Sequence, residues 1–379
     1  MNFIQIDKSN SAVALKFLSQ HEHTCVQLVE RVRLRKFDDL FAIVNNVRTV
    51  TGVLSTQHTV LHCLPDAHDQ KKQSALKIRL AEFLYDKKIS CVNGEAAASR
   101  LVLDILSEQN KTPLQVNEYF LMTLHSTALK NAQNALLPNE VQQDALGQSG
   151  ADYSQPNTQR IDNPQIAVSA ATQQIVTQRN TNTQNAAPTT AHQLATSHST
   201  VISHAQSAAS ARTVPLAKDA PPTALPIPSG FAHIVLPDWH VVRCYENDAN
   251  ALMPLQAAYE AEEVTPACRT THAAVVRKNL DRLLQTEYVI ALQNERGEFV
   301  AKANTNAIGM HYAQIGGVYT MPQYRGRQYA SLLVEIILHR IIQSKRRPVL
   351  YVRTTNEHAK KIYASLGFSK SLGYTIAYY

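Results

Sequence analysis

With 379 residues the chain is long enough for two or three domains. Its 37 basic and 30 acidic side chains leave a formal net charge of +7, which permits anionic ligands without demanding nucleic acid. No apolar run reaches the roughly 18 residues that cross a bilayer, and the stretch from Met1 to Asp7 lacks a secretion layout, so an integral membrane protein is excluded and a cytoplasmic one expected.

The first block, 1–130, alternates helical and extended signals. Ala14 to Leu18 is a short helical face, and Cys25, Val26, Leu28, Val29 and Val32 are spaced as on an amphipathic helix. Leu40 to Val44, Val50 to Leu54 and Thr59 to Leu64 read as three strands in a meander, the first two joined by a turn at Asn45 and Asn46. A charged helix from Lys72 to Tyr85 leads to a strand from Ile89 to Val92. A turn at Asn93 and Gly94, a helix from Glu95 to Leu106 and a closing strand from Val116 to Leu124 complete the block. This order predicts α+β architecture with a central antiparallel sheet. Neither a phosphate loop nor a nucleophile with its base is visible there, and His21, His23, His58, His62 and His68 are too irregular for a ligand set.

Residues 131–230 change character. Nine charged residues and one aromatic, Tyr153, stand among Gln, Asn, Ala, Ser, Thr and clustered prolines. So little bulky apolar surface cannot offset the entropy of ordering the backbone, and a disordered tether is expected. The blocks on either side carry net charges of +3 and +5, so an anion site is better sought in residues 231–379. The cysteines, Cys25, Cys63, Cys91, Cys244 and Cys268, are odd in number with no C-x-x-C pair, which disfavours a disulfide framework and a structural zinc or other metal site.

The last block opens with a strand from Val241 to Tyr245, a helix capped by Asn247 or Asp248 and running to Glu263, and a second helix from Thr271 to Gln285. Tyr288 to Leu292 and Phe299 to Ala303 form an antiparallel pair around a turn at 294–297. The strand from Tyr312 to Thr320 carries Gly316 and Gly317 in its interior, a bulge signal. The loop from Thr320 to Ala330 then opens into a helix on which Leu332, Leu333, Ile336, Ile337 and Ile341 share one face. A strand entering a turn of glycine and arginines and then a helix presents backbone N–H groups to an anion, in outline a diphosphate cradle. It is neither a Walker loop nor a dinucleotide fingerprint. Pro348 to Arg353 is a strand, followed by a helix that Asn356 can start and Gly367 can end, with Tyr363 two turns beyond Asn356 on the same face.

The run from Gln314 to Phe368 resembles the acetyl-CoA-binding half of the GNAT superfamily of N-acetyltransferases. There a bulged strand leads to an R/Q-x-x-G-x-G/A turn, and an Asn…Tyr…Gly-Phe helix follows a strand that splays away. Arg325 matches the first position of the turn and Ala330 the last, while Gln328 stands where glycine is usual. The resemblance implies a mixed α/β GNAT fold for 231–379, a mostly antiparallel, splayed sheet flanked by helices, beside a second, smaller α+β domain. More loosely, the first block is similar in order to a degenerate GNAT half, as in tandem-GNAT proteins, without a diphosphate turn. Such a half implies a scaffold or acceptor-recognition domain.

By the same resemblance Val318, Tyr319 and Thr320 would pair their backbone with the pantetheine arm of acetyl-CoA. Arg325, Gly326, Arg327, Gln328, Tyr329, Ala330 and Ser331 would hold its pyrophosphate. Asn356 would bind the arm or orient its helix, and Tyr363 would sit beside the thioester sulfur. A phenol of ordinary acidity, near 10, suits protonation of a departing thiolate, and backbone N–H groups at the bulge can meet the developing oxyanion. Glu262, Glu263 and His311 remain open as the base, and solvated helix-end charges explain the two carboxylates as well. Lys345, Arg346 and Arg347 are explained equally by closing a helix C-terminus. The expected activity is acetyl-CoA-dependent N-acetylation of a primary amine, a small molecule or a protein amine, by direct transfer in a ternary complex. The competing expectations are a CoA-binding sensor or scaffold and, more remotely, nucleic-acid binding through the basic last block.

Overall fold

The computed structural model describes residues 1–56, 58–127, 129, 224–265, 270 and 272–379. The expected tether lies outside these residues up to 223. Its last residues do not: Ala224 bridges to Val242, and Leu225 and Ile227 pack on the core of the last block.

One order of elements occurs twice. The first series is β1 (Asn2–Gln5), α1 (Ser11–Gln20), α2 (Val26–Arg33), β2 (Leu40–Val44), β3 (Val50–Ser55), β4 (Thr59–Cys63), α3 (Gln70–Leu84), β5 (Cys91–Glu95), α4 (Ala96–Glu108) and β6 (Gln115–Leu124). The second is β7 (His240–Arg243), α5 (Ala249–Tyr259), α6 (Ala273–Thr286), β8 (Val289–Gln293), β9 (Phe299–Ile308), β10 (Tyr312–Thr320), α7 (Tyr329–Gln343), β11 (Arg347–Arg353), α8 (Glu357–Ser365) and β12 (Phe368–Tyr378). Among the described residues all strands join one 12-stranded sheet in the order β1-β2-β3-β4-β5-β12-β6-β11-β10-β9-β8-β7. Only β4–β5 and β10–β11, which hold the same place in the two series, are parallel.

The last strands of the two series are exchanged. β6 pairs with β11 and β12, not with a strand of its own series, and β12 pairs with β5. The expectation that Val116 to Leu124 closes the first block is corrected accordingly: those residues complete the sheet of the second. Sequence reading does not foresee β12. Ser369 to Leu372 are exposed and largely polar, with Gly373 after them, so no apolar alternation marks the strand. It is held by pairing, antiparallel to β6 from Phe368 to Tyr378 and to β5 from Tyr374 to Tyr378.

Helices cover both faces. α3 and α4 bury Leu76, Leu80, Leu84, Val102 and Ile105 on one face of the first half, and α1 and α2 bury Leu18, Leu28 and Val29 on the other. In the second half α7 presses Leu332, Leu333 and Ile337, all fully buried, onto the sheet, each contributing about 1.5–3 kcal/mol by leaving water. α8 buries Tyr363 alone. Among the described residues no helix is long and apolar enough to cross a membrane.

The turn expected at Asn93 and Gly94 is instead the interior of β5. Glycine is required there because the imidazole of His62, buried and bonded to Ser99 Oγ at 3.0 Å, lies where its Cβ would stand. Glu95 caps α4 by accepting from Ala97 N and Ala98 N.

Candidate active site

β10 and β11 pair in parallel from Tyr312 and Arg347 to Ile315 and Leu350 and then part. At the same level the pairing of β10 with β9 slips: Gly316 faces Asn304, whereas the next paired residue, Tyr319, faces Lys302. Gly317 and Val318 therefore have no partner position on either neighbouring strand, which is the bulge expected at the paired glycines. Gly317 has φ +59, and a Cβ on it would overlap the Asn304 side-chain oxygen and crowd Lys302 Nζ. A Cβ on Gly316 would overlap the Asn306 amide. Only glycine fits above these three side chains.

Beyond Thr320 a single turn, Pro322–Tyr324, brings the chain to Arg325. Gly326 follows at φ +77, where an added Cβ would meet nothing within 4 Å. Gln328 is left-handed, φ +61, at a cost of about 1–2 kcal/mol for a residue with a side chain. It stands in the glycine's place and adopts the glycine's conformation. The first turn of α7 receives no side-chain cap, and its Tyr329, Ala330 and Ser331 border the same space as Arg325 and Arg327.

α5 ends in one π-helical turn, Glu260–Val264, closed by Thr265 N donating to Glu260 O at 2.7 Å. The two carboxylates it carries differ. Glu262 accepts from Arg325 Nη2 at 2.7 Å and from the Tyr319 hydroxyl at 2.9 Å. The guanidinium beside it holds its carboxyl below the ordinary value. Glu263 is half-buried, and burial raises its carboxyl, with Arg353 opposing. Its Oε1 lies 3.5 Å from Asn356 Nδ2, and its own carbonyl accepts from Arg353 Nη2 at 2.8 Å. Asn356 caps α8 by accepting from Ala359 N at 3.0 Å. Tyr363 is buried, and its phenol lies well above its ordinary value, first through desolvation and then through the charge of Glu263. That corrects the sequence-based assumption of ordinary acidity: the phenol holds its proton more firmly than a free one.

These groups line one cavity of about 790 Å³. Of the residues expected in the site, Val318, Tyr319, Thr320, Arg325 to Ser331, Asn356, Tyr363, Glu262 and Glu263 border it. His311 does not. It sits at the opposite end of β10, where its backbone N–H donates to Glu22 Oε1 at 2.8 Å. Sequence reading misses the opposite wall, which the exchanged strands bring in: Tyr119 from β6, Tyr374 and Tyr378 from β12, Asn93 from β5, with Tyr351 and Arg353 from β11. Tyr351 and Tyr374 stack at 4.0 Å. No local pattern marks these residues, because they meet only across strands far apart in sequence.

Residues 292–376, the end of β8 to β12, match the family model described as FR47-like protein. The fold is the GNAT fold. A Drosophila protein is similar over 100% of this chain and 98% of its own, at 11% identity and a TM-score of 0.53. A tandem GNAT protein from the clavulanic acid biosynthesis pathway is 10% identical over 99% of this chain and 98% of its own, TM-score 0.46. A putative GNAT-family acetyltransferase from Novosphingobium aromaticivorans is 23% identical over 40% of this chain, TM-score 0.30, and the match spans 58% of that protein. No curated protein matches the sequence. The same order of elements runs through both series, and the turn of glycine and arginines before α7 has no counterpart in the first, where Pro65–His68 and Asp69 offer carboxylates and no glycine.

Proposed function

We propose that the protein is an acetyl-CoA-dependent N-acetyltransferase that transfers acetyl directly to a primary amine in a ternary complex. One observation carries the reading: the β10 bulge, the uncapped start of α7 with its two arginines, the π-turn carboxylates and Tyr363 all border a single cavity. The residues present suit the co-substrate. The parted strands leave the Val318 amide without a ladder partner, Gly326 borders open space and Arg325 and Arg327 supply positive charge. Bound there, acetyl-CoA would supply an activated acyl group and a thiolate leaving group.

The chain's own groups then divide the work. Glu263, whose basicity burial increases, takes a proton from the substrate ammonium. As the nitrogen–carbon bond forms and the carbon–sulfur bond breaks, Tyr363 gives its proton to sulfur in concert with the loss of the second proton from nitrogen, since a phenol held above its ordinary value is too weak an acid to protonate the thiolate in a separate step. The second proton lost by nitrogen restores the phenol, so one proton in total passes to solvent. Bulge amides stabilise the charge that gathers on the carbonyl oxygen. Glu262 serves Arg325 and is too weak a base for the ammonium. The first half, 1–130, has no diphosphate turn and contributes Asn93, Tyr119 and Gln27 to the cavity, so it acts in acceptor recognition while 231–379 carries the chemistry.

The full-length protein, titrated calorimetrically with acetyl-CoA and assayed for thiol release with a panel of small amines and peptides, tests the reading. Binding with amine-dependent release of free thiol is expected. Binding without release under every amine marks the alternative, a CoA sensor, and absence of binding removes both.

A further inference from the structure

Among the described residues Lys302 is the largest fully buried side chain, 1% exposed, on β9 beneath Gly317 of the bulge. It does not border the cavity, so it neither meets an anionic ligand nor takes a proton from an acceptor. Burying an ammonium is costly unless it is well bonded, and a methionine would fill similar space without that cost. Its Nζ donates to Gly317 O at 2.9 Å and to Asn304 Oδ1 at 3.1 Å, and lies 4.5 Å from the centre of the Tyr259 ring. Asn304 in turn donates to Asn306 Oδ1 at 2.9 Å, and these two asparagines occupy the space that Cβ atoms on Gly317 and Gly316 would need. Burial pushes the Lys302 ammonium down to about 7, and Glu260 opposes that as the counter-charge nearby, itself buried and held by Gln256 Nε2 at 2.9 Å and Asn279 Nδ2 at 3.2 Å.

The bond to Gly317 O has a consequence across the peptide plane. In a trans peptide the C=O and the following N–H point in opposite directions. A carbonyl drawn to Lys302 Nζ beneath the bulge therefore turns the Val318 N–H the other way, and Val318 borders the cavity whereas Lys302 does not. In its protonated form the lysine also withdraws electron density from the same amide and strengthens that N–H as a donor; deprotonated, it keeps the hydrogen bond without the charge.

We propose that Lys302 is a positioning residue for acyl transfer: bonded to the Gly317 carbonyl from beneath the bulge, it orients and polarises the Gly317–Val318 peptide so that the Val318 N–H receives the thioester carbonyl oxygen. The inference rests on the acetyl-transfer reading of the cavity. It assigns to a side chain outside the cavity a share of the transition-state stabilisation that occurs within it.

The test uses the full-length protein, wild type and Lys302→Met, with acetyl-CoA labelled with ¹³C at the thioester carbonyl. Difference infrared spectra of wild type are expected to show the bound carbonyl stretch below its value in water. In Lys302→Met the stretch returns toward that value, kcat falls roughly 10- to 100-fold, and KM and Kd for acetyl-CoA stay within about threefold. Lys302→Gln, which retains a donor without the charge, falls between, and carries the comparison if the methionine variant does not fold. A purely structural lysine would lower Tm and weaken acetyl-CoA binding without moving the carbonyl band of the bound fraction, and that result overturns the proposal. So does a wild-type band unshifted from water. If wild type binds and turns over acetyl-CoA while either result is found, the lysine assignment alone fails; if wild type binds no acetyl-CoA, the acetyl-transfer reading fails with it.

Discussion

At the scale of single residues, two acidic neighbours on one helical turn have been given opposite properties by their surroundings. Arg325 keeps Glu262 ionised, while burial makes Glu263 the stronger base. A base must be deprotonated to act, so with the carboxyl of Glu263 raised by burial, kcat/KM is expected to climb with pH through a midpoint displaced upward from the ordinary glutamate value. Glu263→Gln should lower kcat/KM roughly 100-fold and flatten that acid limb, as a pH–rate profile of both proteins would reveal. Tyr363 is buried, and α8 has no other buried residue to seat it. Tyr363→Phe keeps the ring and removes the proton, so kcat should drop roughly 100-fold while Kd for acetyl-CoA, by calorimetry, stays within about twofold. An equal loss of both would make the ring a packing element and nothing more.

At the scale of elements, the hairpin that delivers β10 to the site is held from the first half. α2 and the turn before it place Glu22 and Glu30 against the β9–β10 connection: Glu22 Oε1 accepts from His311 N and Tyr312 N, and Glu30 Oε1 accepts from Ile308 N at 2.6 Å. Burial and the nearby Glu287 push the carboxyl of Glu30 up to about 7, against opposing contributions from the Ile308 amide, Arg33 and Arg282. The folded state thus binds this proton more tightly than the unfolded chain. The stabilisation is complete below the ordinary glutamate value and is lost as pH rises through about 7. Glu30→Gln, neutral at every pH, should match wild type in Tm near pH 4.5 and exceed it by a few degrees at pH 8, measured by calorimetric melting. A Tm difference independent of pH would place the titration elsewhere.

At the scale of the whole molecule, the exchange of β6 and β12 decides how the halves depend on each other. Each half completes its sheet with a strand from the other, and β6 and β12 pair along nearly their whole length. Unfolding either half would strip a strand from its partner, so one cooperative transition is expected. Trp239, the single tryptophan, packs against Tyr324 and Tyr329 in the second half and reports it alone. Far-UV circular dichroism reports both halves. Their denaturant midpoints should coincide; a tryptophan transition separated from the dichroism by more than experimental error would mean that the exchanged strands do not couple the halves. The same exchange builds the cavity's second wall, since Tyr119 and Tyr374 reach it only because their strands cross over.

Much of the second half could be read from its residues. The glycine pair in β10, the arginine turn before an apolar helix and the capping Asn356 are local devices, encoded by backbone freedom, charge and hydrogen bonding within a few positions of one another. The first half was legible in its meander and helices but not in β5, where Asn93 and Gly94 carry a turn signature that contact with His62 overrides. β12, the tyrosine wall and the placement of Lys302 beneath Gly317 belonged to the tertiary structure, because each depends on residues brought side by side from distant parts of the chain. A short-range rule is written in neighbouring side chains and survives any context. Strand exchange and the burial of an ammonium under a bulge follow from which surfaces meet, and that was settled only when the sheet closed.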